Sequence, residues 1–331
     1  MIPETEKEDP LIHDPVMVEE VIGYLRPEEK RSGVFCDATT STGGHAEEIV
    51  SRLSSDSVYI GLDLDESALR LAKERLSGYP ARVELYRANY SRLDEVLETV
   101  GVAGADGVLF DLGFSTFQIE DPERGFSFQK KGPLDMRMNP EGDLKAEEIV
   151  NNYSFKELKQ LLLRYGEEGW ADGIAKEIVK QRKQKRIKTT RDLVRVIESA
   201  LPEGEKRRRN IHPATKTFQA LRIAVNDELN NLKQGLETAF GCLKKGGVMV
   251  VISYHSLEDR ETKRFLKYKA RDCICPPDLP VCRCDKEAEV ELLTGGAVRP
   301  DESEIGENPR SRSARLRAGK KITDGGARRH E

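Results

Sequence analysis

The sequence predicts an α/β protein, a doubly wound parallel sheet interrupted by a helical segment. Three observations predict it. Short apolar runs alternate with amphipathic stretches over residues 33–115; strand signals vanish over 116–211, where helical segments follow one another; and an apolar run returns at 248–253. The length agrees, because 331 residues amount to about two domains, or one large domain carrying an insertion.

Each element follows from its own pattern. Residues 34–36 read as the first strand, and 46–53 as a helix with Ile49, Val50 and Leu53 on one face. Residues 58–62 form the second strand, followed by a helix over 66–76 carrying Leu69, Leu71, Ala72 and Leu76. Residues 83–86 and 107–112 give two more strands. The helical segments are expected at 145–151, 155–165, 170–182 and 189–201. Pro213 opens a long helix reaching about Phe240, since proline is tolerated in a first helical turn. Residues 244–247 make a turn before the strand at 248–253, and beyond Ala270 poor periodicity reads as a loop-rich tail. The expected division is a sheet domain of residues 1–115 and 212–331, with a helical insertion at 116–211.

Composition excludes several classes. Hydrophobic residues are 37% and charged residues 34% of the chain, polar but still globular. Its longest clear apolar run, 248–252, is far below the ~20 residues of a membrane helix. Residues 1–9 are acidic and contain no apolar h-region, so the expectation is a cytoplasmic protein. Six cysteines in such a chain argue against a disulfide framework. With 54 Lys+Arg against 58 Asp+Glu the net charge is −4, so any nucleic-acid contact must rest on local patches.

Sheets of this kind bind ligands at the carboxyl ends of their strands, which directs attention to Asp37, Asp63 and Asp111, each closing an apolar run. The loop Asp37-Ala38-Thr39-Thr40-Ser41-Thr42-Gly43-Gly44-His45 joins the first strand to the first helix. It is neither GxGxxG nor GxxxxGK[ST], so dinucleotide and nucleoside-triphosphate readings lose weight; it is a cofactor loop or simply a tight turn. Asp63 is placed to accept both hydroxyls of an adenosine ribose or to cap the following helix, a role that suits Asp65 better. Asn89-Tyr90 offers an amide and an aromatic face to an adenine, or is ordinary loop.

The strings Asp111-Leu112-Gly113-Phe114-Ser115-Thr116-Phe117-Gln118, Glu123-Arg124-Gly125-Phe126-Ser127-Phe128 and Gly132-Pro133-Leu134-Asp135-Met136-Arg137-Met138 are distinctive. With them go His13-Asp14-Pro15-Val16-Met17, Tyr165-Gly166-Glu167-Glu168, residues 212–222, Val225-Asn226-Asp227-Glu228-Leu229, Ser253-Tyr254-His255-Ser256 and Asn308-Pro309-Arg310-Ser311-Arg312. Together they span about residues 12–317, and the chain resembles the bacterial 16S rRNA (cytosine-N4)-methyltransferase family. The resemblance implies a Rossmann-like, class I S-adenosylmethionine-dependent methyltransferase sheet whose helical insertion recognises substrate. It implies methylation of the exocyclic N4 of a cytidine in the decoding region of 16S rRNA, with the rRNA probed free or within the small ribosomal subunit. It implies cofactor contacts at Gly43, Gly44, His45, Asp63, Tyr90, Asp111 and Gln118. Self-association, as a homodimer for example, is left open. Ser41 stands where the family usually has glycine, Thr116-Phe117 where it has Ser-Pro, and Tyr90 where it has phenylalanine.

Cytosine N4 is a poor nucleophile, because its lone pair is delocalised into the ring. Methylation needs in-line positioning and an acceptor for an N4 proton, which Asp111 or a neighbouring backbone carbonyl supplies. Asp111 is the catalytic candidate; Asp135 is another acceptor or an ion-pair partner of Arg137. The target base must leave its stack, so Phe114, Phe117, Phe126 and Phe128 line a pocket or belong to the core. His255 moves protons or braces a capping turn. RNA phosphates are expected against three basic runs, 176–191, 206–209 and 310–321, unless these are solvated faces. Cys273, Cys275, Cys282 and Cys284 are dense enough for a soft-metal site, but their CxC spacing departs from CxxC pairs and methyl transfer needs no metal, so no metal is assigned. The rival class is a ribosome-assembly RNA-binding protein that kept the fold and lost turnover; a dehydrogenase is disfavoured by the missing GxGxxG.

Overall fold

A computed structural model describes residues 15–113, 119–276, 279 and 281–324. Seven strands form one sheet in the order β3-β2-β1-β4-β5-β7-β6. They are β1 Val34–Asp37, β2 Val58–Asp63, β3 Arg82–Arg87, β4 Ala105–Asp111, β5 Leu243–Ser253, β6 Val290–Leu292 and β7 Arg315–Lys321. The first five run parallel, while β7 pairs antiparallel with both β5 and β6. Parallel strands buried on both faces should be apolar throughout, and residues 34–36 of β1 and the middle of β4 are. Alternate residues then divide between two cores. Cys36, Ile60, Val108, Phe110, Met249 and Val251 enter one, and Phe35, Tyr59, Leu109, Val250, Ile252 and Leu316 the other. The helices Gly44–Val50, Glu66–Arg75 and Leu93–Val100 connect the first four strands, the crossover expected between parallel neighbours.

The chain packs as two compact units, residues 1–113 with 229–331, and 114–228. The second unit is helical, with Ala146–Asn152, Phe155–Gly166, Ala171–Arg182, Thr190–Ala200, Glu203–Arg208 and Thr215–Asn226. It has its own core, in which Leu158, Leu162, Ile174, Ile178, Leu193, Ile197, Phe218 and Leu221 are buried.

Two expectations need correction here. The long helix from Pro213 is two helices, Thr215–Asn226 and Glu228–Cys242, because Asp227 turns left-handed at φ 48°. Burial of Phe218, Ala220 and Leu221 in the helical core ties the first of them to the insertion, so the insertion ends at Glu228, not at 211. Nor is the region after Ala270 loop-rich throughout. It holds β6, the helix Glu302–Glu307 and β7, whose alternate residues Leu316 and Ala318 are fully buried. The glycine and charges of Arg315-Leu316-Arg317-Ala318-Gly319-Lys320-Lys321 mask that period-2 pattern.

Candidate active site

Asp37, Asp63 and Asp111 end three parallel strands, β1, β2 and β4, and therefore share one edge of the sheet. The loop after β1 is held by main-chain bonds, Ala38 N–H to Leu109 O at 2.8 Å and Thr40 N–H to Leu62 O at 2.9 Å. Ser41 takes a left-handed φ of 50° and Gly43 one of 88°. Gly43 has little room as well, since a Cβ there would lie 3.3 Å from the Ala72 Cα and Cβ. The serine at position 41 thus accepts the backbone angle that a glycine would adopt freely.

That turn aims the Ser41 N–H at Asp63 Oδ2, 2.9 Å away, while the Asp65 N–H donates to Oδ1 at 2.8 Å. Asp65 itself caps the helix Glu66–Arg75 by accepting from the Ser67 N–H. Asp63 is therefore not the cap. Its two oxygens each take one main-chain donor, and a carboxylate has room for further hydroxyl donors. Burial pushes its pKa up to about 6. Asp37 is also pushed to about 6 by burial, but its oxygens serve the fold, accepting from Thr39 N–H and from the buried Tyr59 hydroxyl at 3.1 Å.

Asp111 sits in a small polar cluster. The Tyr254 hydroxyl donates to Oδ1 at 2.8 Å, and His45 Nδ1 lies 3.5 Å from Oδ2. The Asp111 N–H donates to Thr39 Oγ1 at 2.7 Å, fixing the strand end to the first loop. His45 Nε2 lies 2.8 Å from the Val16 carbonyl, which only accepts, so that nitrogen carries the proton. Burial raises the Asp111 carboxyl above the usual carboxylate range, while His45 and the Tyr254 hydroxyl pull the other way. The result is a partly exposed carboxylate, more basic than an ordinary aspartate and held at two points. Tyr254 was not among the sequence candidates; its position directly after β5, opposite the end of β4, is the signal that could have found it.

The sequence profile of the MraW methylase family matches residues 10–322. The chain belongs to that family. Ribosomal RNA small subunit methyltransferase H of Halothermothrix orenii is 46% identical over 312 residues, covering 94% of this chain and 99% of that protein. The protein of the same name from Geotalea uraniireducens is 47% identical over 310 residues, covering 94% and 98%. A putative rRNA-methylase from Clostridium thermocellum aligns as a structure with a TM-score of 0.43 at 13% identity, covering 94% of this chain and 100% of that one, too loosely to bear on function. As an MraW methylase the chain is an S-adenosylmethionine-dependent rRNA methyltransferase.

In this MraW methylase the other sequence candidates fall as follows. Tyr90 lies after β3, edge-on to Phe110 with ring centroids 5.4 Å apart. Gly235 makes room for it, since a Cβ there would sit 2.3 Å from the Tyr90 ring; no sequence signal marked that glycine. The Asn89 side chain is used locally, accepting from the Ser91 N–H. Gln118, Phe114, Ser115 and Thr116-Phe117 lie outside the described residues, as does His13-Asp14. His255 caps the helix Ser256–Lys269 together with Glu258, which makes it a bracing residue. Asp135 is an ion-pair partner: Arg137 grips both its oxygens at 2.7 and 2.8 Å, and although burial works to raise its pKa, those bonds hold it low. Phe126 is buried in the helical core and Phe128 stacks on His212 at 4.6 Å, so both pack rather than line a pocket.

The basic runs divide. Arg207 and Arg208 are exposed, but Arg209 grips the buried Glu168 with bonds of 2.6 and 2.9 Å. Within 176–191, Lys176, Lys180 and Arg186 pair with acids, while Lys183, Lys185 and Lys188 are exposed. The run 310–321 is mostly structural: Arg315 and Arg317 bind Asp259, and the buried Lys321 ammonium donates to the carbonyls of Phe240 and Leu243. A cationic groove went unforeseen. Arg260, Lys263, Arg264 and Lys267 line it from one helix, at the i, i+3, i+4 spacing that marks a single face. Among the described residues no helix is long and apolar enough to cross a membrane.

Proposed function

We propose that this chain methylates the exocyclic N4 of a cytidine in the decoding region of 16S rRNA within the small ribosomal subunit, in the cytoplasm, with Asp111 as proton acceptor. When bound, S-adenosylmethionine supplies a methyl group on a sulfonium. Asp63 receives the ribose: its carboxylate keeps acceptor capacity beyond the two main-chain donors, which suits a pair of adjacent hydroxyls. Gly43, Gly44 and His45 form the turn beside it, Tyr90 presents a ring to the adenine, and Gln118 belongs to the same set by its place in the motif.

Asp111 carries the reading. It is the strand-end carboxylate that is raised above its usual range, partly exposed and bonded by a hydroxyl on one oxygen only, with His45 Nδ1 3.5 Å from the other. A methylated N4 would be cationic and would have to lose a proton. A carboxylate of raised basicity takes it, and the neutral acid it becomes suits a buried site. Tyr254 fixes one oxygen, so the other turns toward the base. The helical insertion, residues 114–228, recognises the RNA, with Arg207, Arg208, Lys183 and Lys185 available to phosphates. An assembly factor without turnover is the weaker reading, because Ser41 holds the left-handed turn and delivers its N–H to Asp63.

The test is incubation of the chain with isotopically labelled S-adenosylmethionine and unmodified small subunits or free 16S rRNA, followed by nucleoside analysis. Label in N4-methylcytidine, with subunits preferred to free RNA, is expected. Label confined to another nucleoside, or binding without label, would overturn the proposal.

A further inference from the structure

Between the helix Ser256–Lys269 and β6 the chain runs through residues 270–289 with no helix or strand among those described. Beyond Ala270, none of its described residues belongs to an apolar core. Ile274 is 47% exposed and Val281 69%. Sulfur gathers it instead. The thiols of Cys273, Cys275, Cys282 and Cys284 are free, and their four Sγ atoms all lie within 4.8 Å of one another. The Cys273–Cys282, Cys282–Cys284, Cys284–Cys273 and Cys275–Cys282 separations are 3.5, 3.6, 3.7 and 4.0 Å. Four sulfurs around one zinc, at Zn–S of about 2.3 Å, stand about 3.8 Å apart at the edges of a tetrahedron.

The main chain is arranged to match. The Ile274 N–H points at Cys284 Sγ at 3.3 Å, the Arg283 N–H at Cys275 Sγ at 3.3 Å and the Cys275 N–H at Cys273 Sγ at 3.4 Å. Each CxC arm thus donates to a sulfur of the other arm, and one donates within its own. Such second-sphere donors spread the negative charge that four thiolates bring to a metal. Six residues, 276–281, separate the two arms in sequence.

We propose that Cys273, Cys275, Cys282 and Cys284 hold one structural Zn²⁺ that orders this segment. Binding exchanges four thiol protons for one dication and leaves a four-thiolate centre of net charge −2. Thiolates select a soft ion over Mg²⁺ or Ca²⁺, and four protein ligands leave no position open for water, so the centre is structural. The site lies in a connection that carries none of the strand-end residues, and it takes no part in methyl transfer.

The experiment uses the full chain, purified under reducing conditions without chelator. Elemental analysis is expected to find one zinc per chain. After chelation, titration with Co²⁺ should give thiolate-to-cobalt charge-transfer absorption and tetrahedral d–d bands that saturate at one equivalent and vanish on adding Zn²⁺. The double variant Cys273→Ser/Cys284→Ser should lose both. Should that variant fail to fold, thiol counting on the native chain decides: zinc should shield four of the six cysteines from a thiol reagent, and chelation should release them. Hydrogen exchange should accelerate within 271–288 on chelation while β1 to β5 stay protected. Absence of both zinc and the cobalt charge-transfer band overturns the proposal. So does stoichiometric iron in place of zinc, or disulfides among these four cysteines in the freshly purified chain.

Discussion

Replacing Asp111 by asparagine isolates what its charge does. The amide keeps an oxygen for the Tyr254 hydroxyl, which now donates to Oδ1 at 2.8 Å. Its other end would face His45 Nδ1, which lies 3.5 Å from Oδ2. The Asp111 N–H bond to Thr39 is main chain and unaffected. Shape and neighbours therefore survive, and what disappears is the ability to take a proton. A positioned proton acceptor is worth roughly 10²–10⁴-fold in rate, or about 3–5.5 kcal/mol of barrier at ~1.4 kcal/mol per decade. Thermal stability should hold or rise. Burial raises the Asp111 pKa, so the folded state keeps this proton through a pH window where the unfolded chain has lost it. Stability from this group is full at low pH and is lost as pH rises through the folded pKa; the neutral amide removes that loss. Single-turnover methylation at saturating cofactor, beside a melting curve at neutral pH, reads both quantities. A single-turnover rate close to wild type, with only the cofactor KM raised, would falsify the acceptor role and leave Asp111 as a binding residue.

Further expectations rest on other parts of the site. Asp63→Ala should weaken S-adenosylmethionine binding by about 1.5–3 kcal/mol, roughly 10- to 100-fold in Kd by calorimetry, with RNA affinity unchanged; wild-type affinity removes Asp63 from the site. Because burial lifts Asp63 to about 6, cofactor affinity should fall as pH drops below that value, and Asp63→Asn should flatten this dependence; an identical pH profile in the variant assigns the titration elsewhere. Ser41→Gly should leave cofactor affinity equal or better, since glycine adopts the φ of 50° without strain while its N–H still reaches Asp63; a clear loss means that the serine hydroxyl makes a contact of its own. Neutralising Arg207 and Arg208 together should weaken RNA binding and reduce the salt slope by about 1.5, at about 0.7–0.9 per phosphate contact. Arg209→Ala should instead unfold the insertion more easily, by about 3–5 kcal/mol, because it strands the buried Glu168 carboxylate; equal melting temperatures would contradict that division of the run.

The strand ends were legible because a parallel sheet is written in short apolar runs, and the acids that close them stand out at once. Four helices of the insertion were equally legible, Ala146–Asn152, Phe155–Gly166, Ala171–Arg182 and Thr190–Ala200, each to within a residue or two of its observed bounds, whereas the short Glu203–Arg208 was not. What stayed hidden depended on partners distant in sequence. Nothing local distinguishes Arg209 from Arg208, yet one meets Glu168 and the other meets water. Asp227 breaks a helix that periodicity carries straight through, since the apolar pattern on either side stays in phase. Tyr254 and Gly235 gain meaning only once β5 lies beside β4 and the helix Glu228–Cys242 lies over Tyr90.

The antiparallel β7 has a consequence for how the protein comes into being. β5 takes β4 on one side and β7 on the other, and β7 in turn is the partner of β6. Until residue 321 has been synthesised, the nascent chain therefore carries β5 with an open edge and the short β6 with nothing to pair against. The helical insertion can complete its core from residues 114–228 long before that moment. Folding is thus expected in two stages, an early local one and a late one dominated by contacts of high sequence separation, which are slow to form. During that interval the apolar run of Met249, Val250 and Val251 is the segment most in need of a chaperone, and the last strand to emerge is what ends the need.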